Sequence, residues 1–209
     1  RAAGVVEISR KLLSQATPQI EAYVWNALLE QITLAVDLAA INGSGTSNQP
    51  EGILQTSGIG AYSATSAADS ASWAMIVGLW KEVAQDNTDV ERLSWLMPPA
   101  AVAEFMSTRK DTGSGKFVLE SPRDGLMGSP IYTSNQVPTN LQSAGDKAAV
   151  LVGDFRDLYI GLWDSPVVIV NPYTSAKTGT VQIVVEQYVD IAVAHANSFA
   201  ATQDLVITV

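Results

Sequence analysis

From Gln19 to Asn42 the chain contains neither glycine nor proline and is rich in Ala and Leu. A stretch of that length with no breaker is predicted to be one α-helix, since neither glycine's entropic cost nor proline's missing donor interrupts it. Thr17 is the expected N-cap, Pro18 suits the first helical position, and Glu21 falls in the first turn, where the helix dipole favours negative charge. Ile20, Val24, Ala27, Leu28, Gln31, Ala35, Leu38 and Ala39 recur at helical spacing and are the expected buried face. About 24 residues at about 1.5 Å each give a rod of about 36 Å, twice the usual helix length. Tyr23, Trp25, Leu34 and Val36 spread apolar surface round the rest of the rod, which predicts packing on more than one side. The predicted helix, 17–42, ends in a turn, Asn42-Gly43-Ser44-Gly45-Thr46-Ser47-Asn48-Gln49-Pro50-Glu51-Gly52. Asn42 or Gly43 in the left-handed conformation is the expected stop.

The chain of 209 residues, 47% hydrophobic and 16% charged, can build a sizeable core and is not a disordered composition. No apolar run comes near the ~18 residues of a membrane span, and no basic-then-apolar leader opens the sequence. Cysteine is absent, which removes disulfides, thiolate metal sites and cysteine nucleophiles. A net charge of −9 without a Lys/Arg cluster argues against a broad nucleic-acid-binding face. The first residue is Arg1 rather than Met, the expectation for a fragment.

Val5 to Ser9 predicts a short strand and Arg10 to Ser14 one helical turn. Gln55 to Ala68, rich in Ser, Gly, Thr and Ala, predicts a surface loop that is mobile without neighbours. A second helix is expected over 71–86, capped by Asp69 or Ser70, with Trp73, Ile76, Val77, Trp80, Val83 and Ala84 buried. Leu93 to Met97 predicts a buried strand, and Pro98-Pro99 opens a short helix carrying Val102, Phe105 and Met106. Further strands are expected at 116–119, 130–133, 148–152, 158–161, 167–170, 180–190 and 205–209. A few helices with many strands and no regular alternation predict an α+β fold.

No constellation of chemistry-bearing residues rises above a structural role. The Gly43-Ser44-Gly45 turn follows a helix and lacks the Lys-Ser/Thr pair of a phosphate loop, so nucleotide binding is rejected. His195 is the only histidine, and no G-x-S-x-G elbow supplies a nucleophile for it. Asp86, Asp89 and Glu91 crowd a turn but lack calcium-loop spacing. Asp154 and Asp157 flank Arg156, where capping or pairing is the default. Carboxylate pairs for glycoside hydrolysis are a three-dimensional property and stay open. Trp73, Trp80 and Trp95 fall on expected buried faces rather than in a sugar cleft. A chain of this kind works through shape and contacts.

The order of these signals resembles the tailed-bacteriophage major capsid proteins, whose fold is typified by phage HK-ninety-seven. The resemblance is carried by Ile8 to Leu13 and by the helix end and turn, in which Asn42, Gly43, Gly45, Thr46, Asn48, Gln49, Pro50 and Gly52 form the signature. Downstream it continues through Trp95-Leu96-Met97-Pro98-Pro99, Lys110-Asp111-Thr112-Gly113 with Lys116-Phe117, Gly128-Ser129-Pro130-Ile131 with Val137-Pro138, Gly153-Asp154-Phe155 with Tyr159-Ile160, and Asn197 to Ala200. It implies a peripheral (P) domain over 1–54, built on a spine helix, and again over 156–194 in long strands. An axial (A) domain is implied over 55–155, with its closing strand over 195–209. The family's N-terminal arm and E-loop would lie upstream of Arg1, so a piece without them can be monomeric.

The resemblance further implies a non-enzymatic subunit of an icosahedral shell, assembled through hexamers and pentamers of itself around double-stranded DNA that it does not bind tightly. Scaffold, protease and portal proteins are the implied partners; a virion, after bacterial cytoplasm, is the implied location; cofactors, metals and membrane have no part. Some relatives cross-link a lysine to an asparagine with help from a glutamate. Here those two positions fall near Val181 and Tyr188, with Glu186 out of register, so no self-cross-linking is expected. The alternatives are an encapsulin-like nanocompartment shell, a carboxylate-dependent hydrolase, or a passive binding module with one exposed apolar patch.

Overall fold

The computed structural model describes residues 1–15, 19–62, 71–86, 88–111, 113, 115–141 and 147–207. The expected caps Thr17, Pro18, Asp69 and Ser70, the end of the 55–68 loop, Thr112 and residues 208–209 lie outside them. In chain order the elements are β1 (Ala2–Ser9), α1 (Arg10–Gln15), α2 (Gln19–Asn42), β2 (Gly60–Ala61), α3 (Trp73–Gln85) and β3 (Ser94–Met97). There follow α4 (Pro99–Ser107), β4 (Ile131–Thr133), β5 (Lys147–Gly153), β6 (Leu158–Asn171), β7 (Thr180–Val193) and β8 (Phe199–Val206).

The strands form two sheets. One has five strands in the order β2-β8-β5-β3-β4, and the other three, β1-β7-β6, antiparallel throughout. In β5 every residue from Ala148 to Gly153 is buried, which marks a strand covered on both faces. Ala148, Val150 and Val152 point into a core shared with α3, β3, α4 and β8. Ala149 and Leu151, on the opposite face, join Ile41, Ile53, Leu54, Val137, Phe199 and Ala201 in a second core. The period-two alternation of a strand thus divides one short apolar run between two cores.

Helix α3 is capped by Ser72, whose hydroxyl accepts the Met75 N–H at 3.2 Å, two or three positions beyond the expected caps. Its buried stripe is Met75, Ile76, Leu79 and Val83. Val77 is exposed, while Trp73, Trp80 and Ala84 are half-buried. The bulky indoles lie at the rim, where a large ring can cover the core edge without being enclosed. Pro99 opens α4 as expected; Val102 and Phe105 are buried, but Met106 is exposed. The 116–119 segment makes only an isolated bridge, Phe117 to Arg109.

Helix α2 lies on the three-stranded sheet through Leu28 and Ile32, which meet Val185, with Val24, Trp25 and Val36 packed alongside. Its last turn carries Ile41 into the second core. Gln31, Ala35 and Leu38, expected inside, are exposed, and Ile32 and Ala40 are buried instead. The helix is apolar nearly all round, so periodicity alone does not single out the face the sheet selects. Within this chain it packs along one stripe, and Tyr23 on the far side is 73% exposed. As one element, Tyr23–Asn42 is long and apolar enough by length and composition to cross a membrane, which the reading by apolar runs did not anticipate.

Two expected strands, 158–161 and 167–170, are one 14-residue strand, β6. Strand β7 extends three residues past the expected end, and the closing strand begins at Phe199 rather than 205. Gly60–Ala61 pairs in parallel with β8, so the 55–68 loop contains strand.

Candidate assembly surfaces and the acidic cleft

The glycine-rich segment is a tight loop locked to the helix end. The Gly43 N–H continues the helix, donating to Ala39 O at 2.9 Å. The chain then reverses: Gly45 N–H donates to Pro50 O (3.3 Å), Gln49 N–H to Thr46 O (3.0 Å), and Gly52 N–H to Gly43 O (2.9 Å). The left-handed residues are Gly45 (φ 65°), Ser47 (φ 54°) and Asn48 (φ 62°), not Asn42 or Gly43. The stop moves into the loop because the Gly43 N–H still has a helical carbonyl to bond. Gly43 and Gly52 are required by proximity. A Cβ on Gly43 would lie 2.2 Å from Pro50 O, and one on Gly52 would lie 2.4 Å from Gly43 N. Ser44 Oγ bonds Gln49 Oε1 at 3.0 Å, and Gln55 Nε2 donates to Asn42 Oδ1 at 3.0 Å. The signature residues thus act on one another and on the helix end, and the loop is not built as a phosphate cradle.

Among the described residues, large apolar side chains are exposed on several elements. Along β6, an edge strand, Tyr159, Leu162, Trp163, Val167, Ile169 and Val170 are all exposed, with Leu162 at 62% and Trp163 at 55%. Tyr23 and Leu38 are exposed on α2, Met106 on α4, and Phe117 and Met127 in the segment after it. A long apolar edge strand left open to water is a surface that pairs or is covered.

The two acidic clusters noted in the sequence meet in one cleft of about 640 Å³, lined by Asp86, Asp89, Asp154, Asp157, Arg156 and His195 among others. The chain positions separate them by about seventy residues, so only the fold brings them together. Glu91 does not line it. Asp154 caps the turn after β5, accepting the Arg156 backbone N–H at 3.1 Å, and its carboxylate receives Arg156 Nε at 2.9 Å as well as Nη2. The Arg156 side-chain bonds hold the Asp154 carboxyl below the usual carboxylate range, against the raising effect of burial. Asp89 pairs with Arg92 at 2.9 Å. Among the described residues no three His, Asp or Glu side chains converge to hold a metal. His195 is exposed and precedes a short turn, Ala196–Ser198.

The remaining sequence candidates separate. Trp95 is fully buried and donates its indole N–H to Leu126 O at 3.1 Å. Trp73 sits beneath Lys110, whose Nζ is 3.5 Å from the ring centroid, so it does not line a sugar cleft with Trp95. Val181 is buried beneath α2, Tyr188 is exposed, and Glu186 pairs with Arg1 at 3.0 Å.

This fold is matched in known proteins. The model of the Phage capsid family covers residues 1–204. This chain belongs to the phage capsid family. It is 27% identical over 197 residues, 94% of its length, to the major capsid protein of Halomonas phage phiHAP-1. The chain spans 31% of that relative's length. Among solved structures it resembles the capsid of an empty GTA particle (TM-score 0.71, 19% identity), covering 96% of this chain and 70% of that one. It also resembles the holo-SrpI encapsulin complex of Synechococcus elongatus PCC 7942 (TM-score 0.69, 17% identity; 99% of this chain, 74% of that one). Both structural likenesses concern the fold. The α+β architecture expected from the sequence is that of the tailed-phage capsid proteins.

Proposed function

We propose that this chain is the shell-building body of a phage major capsid subunit, which assembles with copies of itself into an icosahedral particle enclosing double-stranded DNA. The observation that carries the reading is the family match, which runs from Arg1 into β8 and so takes in strands of both sheets. The three-stranded sheet with α2 corresponds to the P domain, and the five-stranded sheet with α3 and α4 to the A domain. Apolar side chains exposed on β6, on α2 and in and after α4 suit a subunit with several neighbours better than a module with one partner.

An acidic subunit of net charge −9 contains DNA without gripping it, because carboxylates repel phosphates and leave the packed duplex free to move. The subunit is structural, not an enzyme: the acidic cleft's most buried carboxylate is already engaged by Arg156. Scaffold, protease and portal proteins are its partners during assembly in bacterial cytoplasm, and the virion is its destination. The encapsulin reading shares the fold, but the sequence relationship is to a phage major capsid protein.

The test is sedimentation velocity and nuclease protection on the full-length protein expressed with its phage partners. Large particles containing nuclease-resistant DNA are expected. Particles that carry protein cargo and no DNA would replace the phage reading with the nanocompartment one. Tight duplex binding by the isolated chain at low salt would contradict the non-gripping wall.

A further inference from the structure

Strands β6 and β7 run together for 14 residues each, but their ladder is broken once. Pairing stops at Trp163 with Tyr188 and resumes at Val167 with Glu186, so Asp164, Ser165 and Pro166 face Gln187 alone. A bulge of this kind bends its strand and raises the local twist. Asp164 takes a left-handed φ of 59°, and Pro166 has no N–H to give a ladder. The side chain of Gln187, a residue only 5% exposed, fills the gap: Nε2 donates to Trp163 O and Asp164 O, each at 3.0 Å, and lies 3.3 Å from Tyr188 O.

The place of the break matters. Strand β1 begins pairing with β7 at Ala2 with Gln187, so three strands lie on one side of the bulge and only two on the other. On the two-stranded side Leu158 and Val193 are rooted in the second core. On the three-stranded side Val185 and Ile183 are packed under α2. The bulge therefore sits at the joint between the two halves of the molecule.

We propose that the Asp164–Pro166 bulge, pinned by the buried Gln187 amide, is a fixed elbow that sets the angle between the two sheets and thereby the curvature of the shell. The inference rests on the shell reading above. Gln187 is a positioning residue: it acts through the carbonyls of the bulge. A glutamine suits the position because its amide supplies two hydrogens to carbonyls that no ladder N–H can reach. Leucine fills similar volume but donates nothing, and leaves the elbow free to take other angles.

The experiment uses particles assembled from the full-length protein. Gln187→Leu and the exposed Asp164→Val, which forces a β-branched residue into the left-handed region, are compared with Val185→Ala, which weakens the sheet core beside the bulge. Expected are a broadened or shifted diameter distribution for both elbow variants and an unchanged diameter for Val185→Ala. The amides of residues 163–165, 167 and 168 should exchange about tenfold faster in Gln187→Leu, as for a loss of hydrogen bonding worth about 1.4 kcal/mol. If Gln187→Leu does not assemble, Asp164→Val decides alone. Unchanged diameters in the elbow variants, or equal shifts in Val185→Ala, would overturn the elbow and leave the shell reading standing. Failure of the parental protein to form any particle would instead contradict the shell reading.

Discussion

Replacing Gly52 with alanine isolates the cost of close backbone approach. Gly52 has φ −87° and ψ 167°, a conformation any residue adopts, so backbone torsion costs nothing. Space is what alanine lacks. Its Cβ would lie 2.4 Å from Gly43 N, 2.7 Å from Ala39 O and 2.8 Å from Asn42 N, all backbone atoms of the last turn of α2 and the residue after it. Relief requires moving the loop from the helix end, which strains the Gly52 N–H bond to Gly43 O and displaces Ile53 from the second core. Overpacking of this order costs about 1–3 kcal/mol, and a weakened hydrogen bond adds about 1 kcal/mol. Stiffening of the unfolded chain returns about 0.4–1 kcal/mol. The expected net loss is about 1–4 kcal/mol, a fall in Tm of about 2–14 °C for a chain of this size. Gly179→Ala is the control: φ is 70°, nothing lies within 4 Å, and only the left-handed strain of about 1–2 kcal/mol applies. Thermal and urea unfolding of both variants check the argument. A Gly52→Ala protein as stable as the parent would refute it.

Other perturbations read other parts of the molecule. Leu151→Ala empties a fully buried position in the second core and is expected to cost about 2–5 kcal/mol in urea unfolding. The Asp154 carboxyl is held below its ordinary value, so its contribution is complete above the unfolded carboxylate pKa, about 3.9, and is lost as pH falls through the lower folded value. Arg156→Gln should therefore lower stability near neutral pH and flatten the acid limb below about pH 4; an unchanged limb would show that the pair carries no linkage. Lys110→Ala removes the cation over Trp73 and should cost about 0.5–1 kcal/mol, with a change in tryptophan fluorescence that Lys110→Arg restores.

Local signals in the sequence located most elements, and tertiary choices account for the differences. Leu93 to Met97 and Ala148 to Val152 are short, largely apolar runs that form strands; β5 is buried on both faces, while β3 alternates buried and half-buried residues. Helix α2 was legible from its lack of Gly and Pro, but its buried stripe was not, since residues such as Ala35, Leu38 and Ala39 are equally apolar whichever way the rod is turned. Strand β6 read as two pieces because Asp164 and Pro166 are local breakers; the buried Gln187 that carries the ladder past them lies over twenty residues away. The two-residue strand at Gly60 has no local signal, as its pairing is set by β8. The signature turn was legible as a turn, whereas the need for glycine at 43 and 52 comes from contacts only the fold creates. The acidic cleft joins Asp86 and Asp89 to Asp154 and Asp157 across the chain, a convergence no spacing encodes.

The central claim is that this fold is a shell subunit. Electron microscopy of the full-length gene product, expressed alone, tests it most directly. Closed shells or rings of capsomers are the expected result. A full-length protein that stays uniformly monomeric at concentrations where capsid proteins assemble would contradict it.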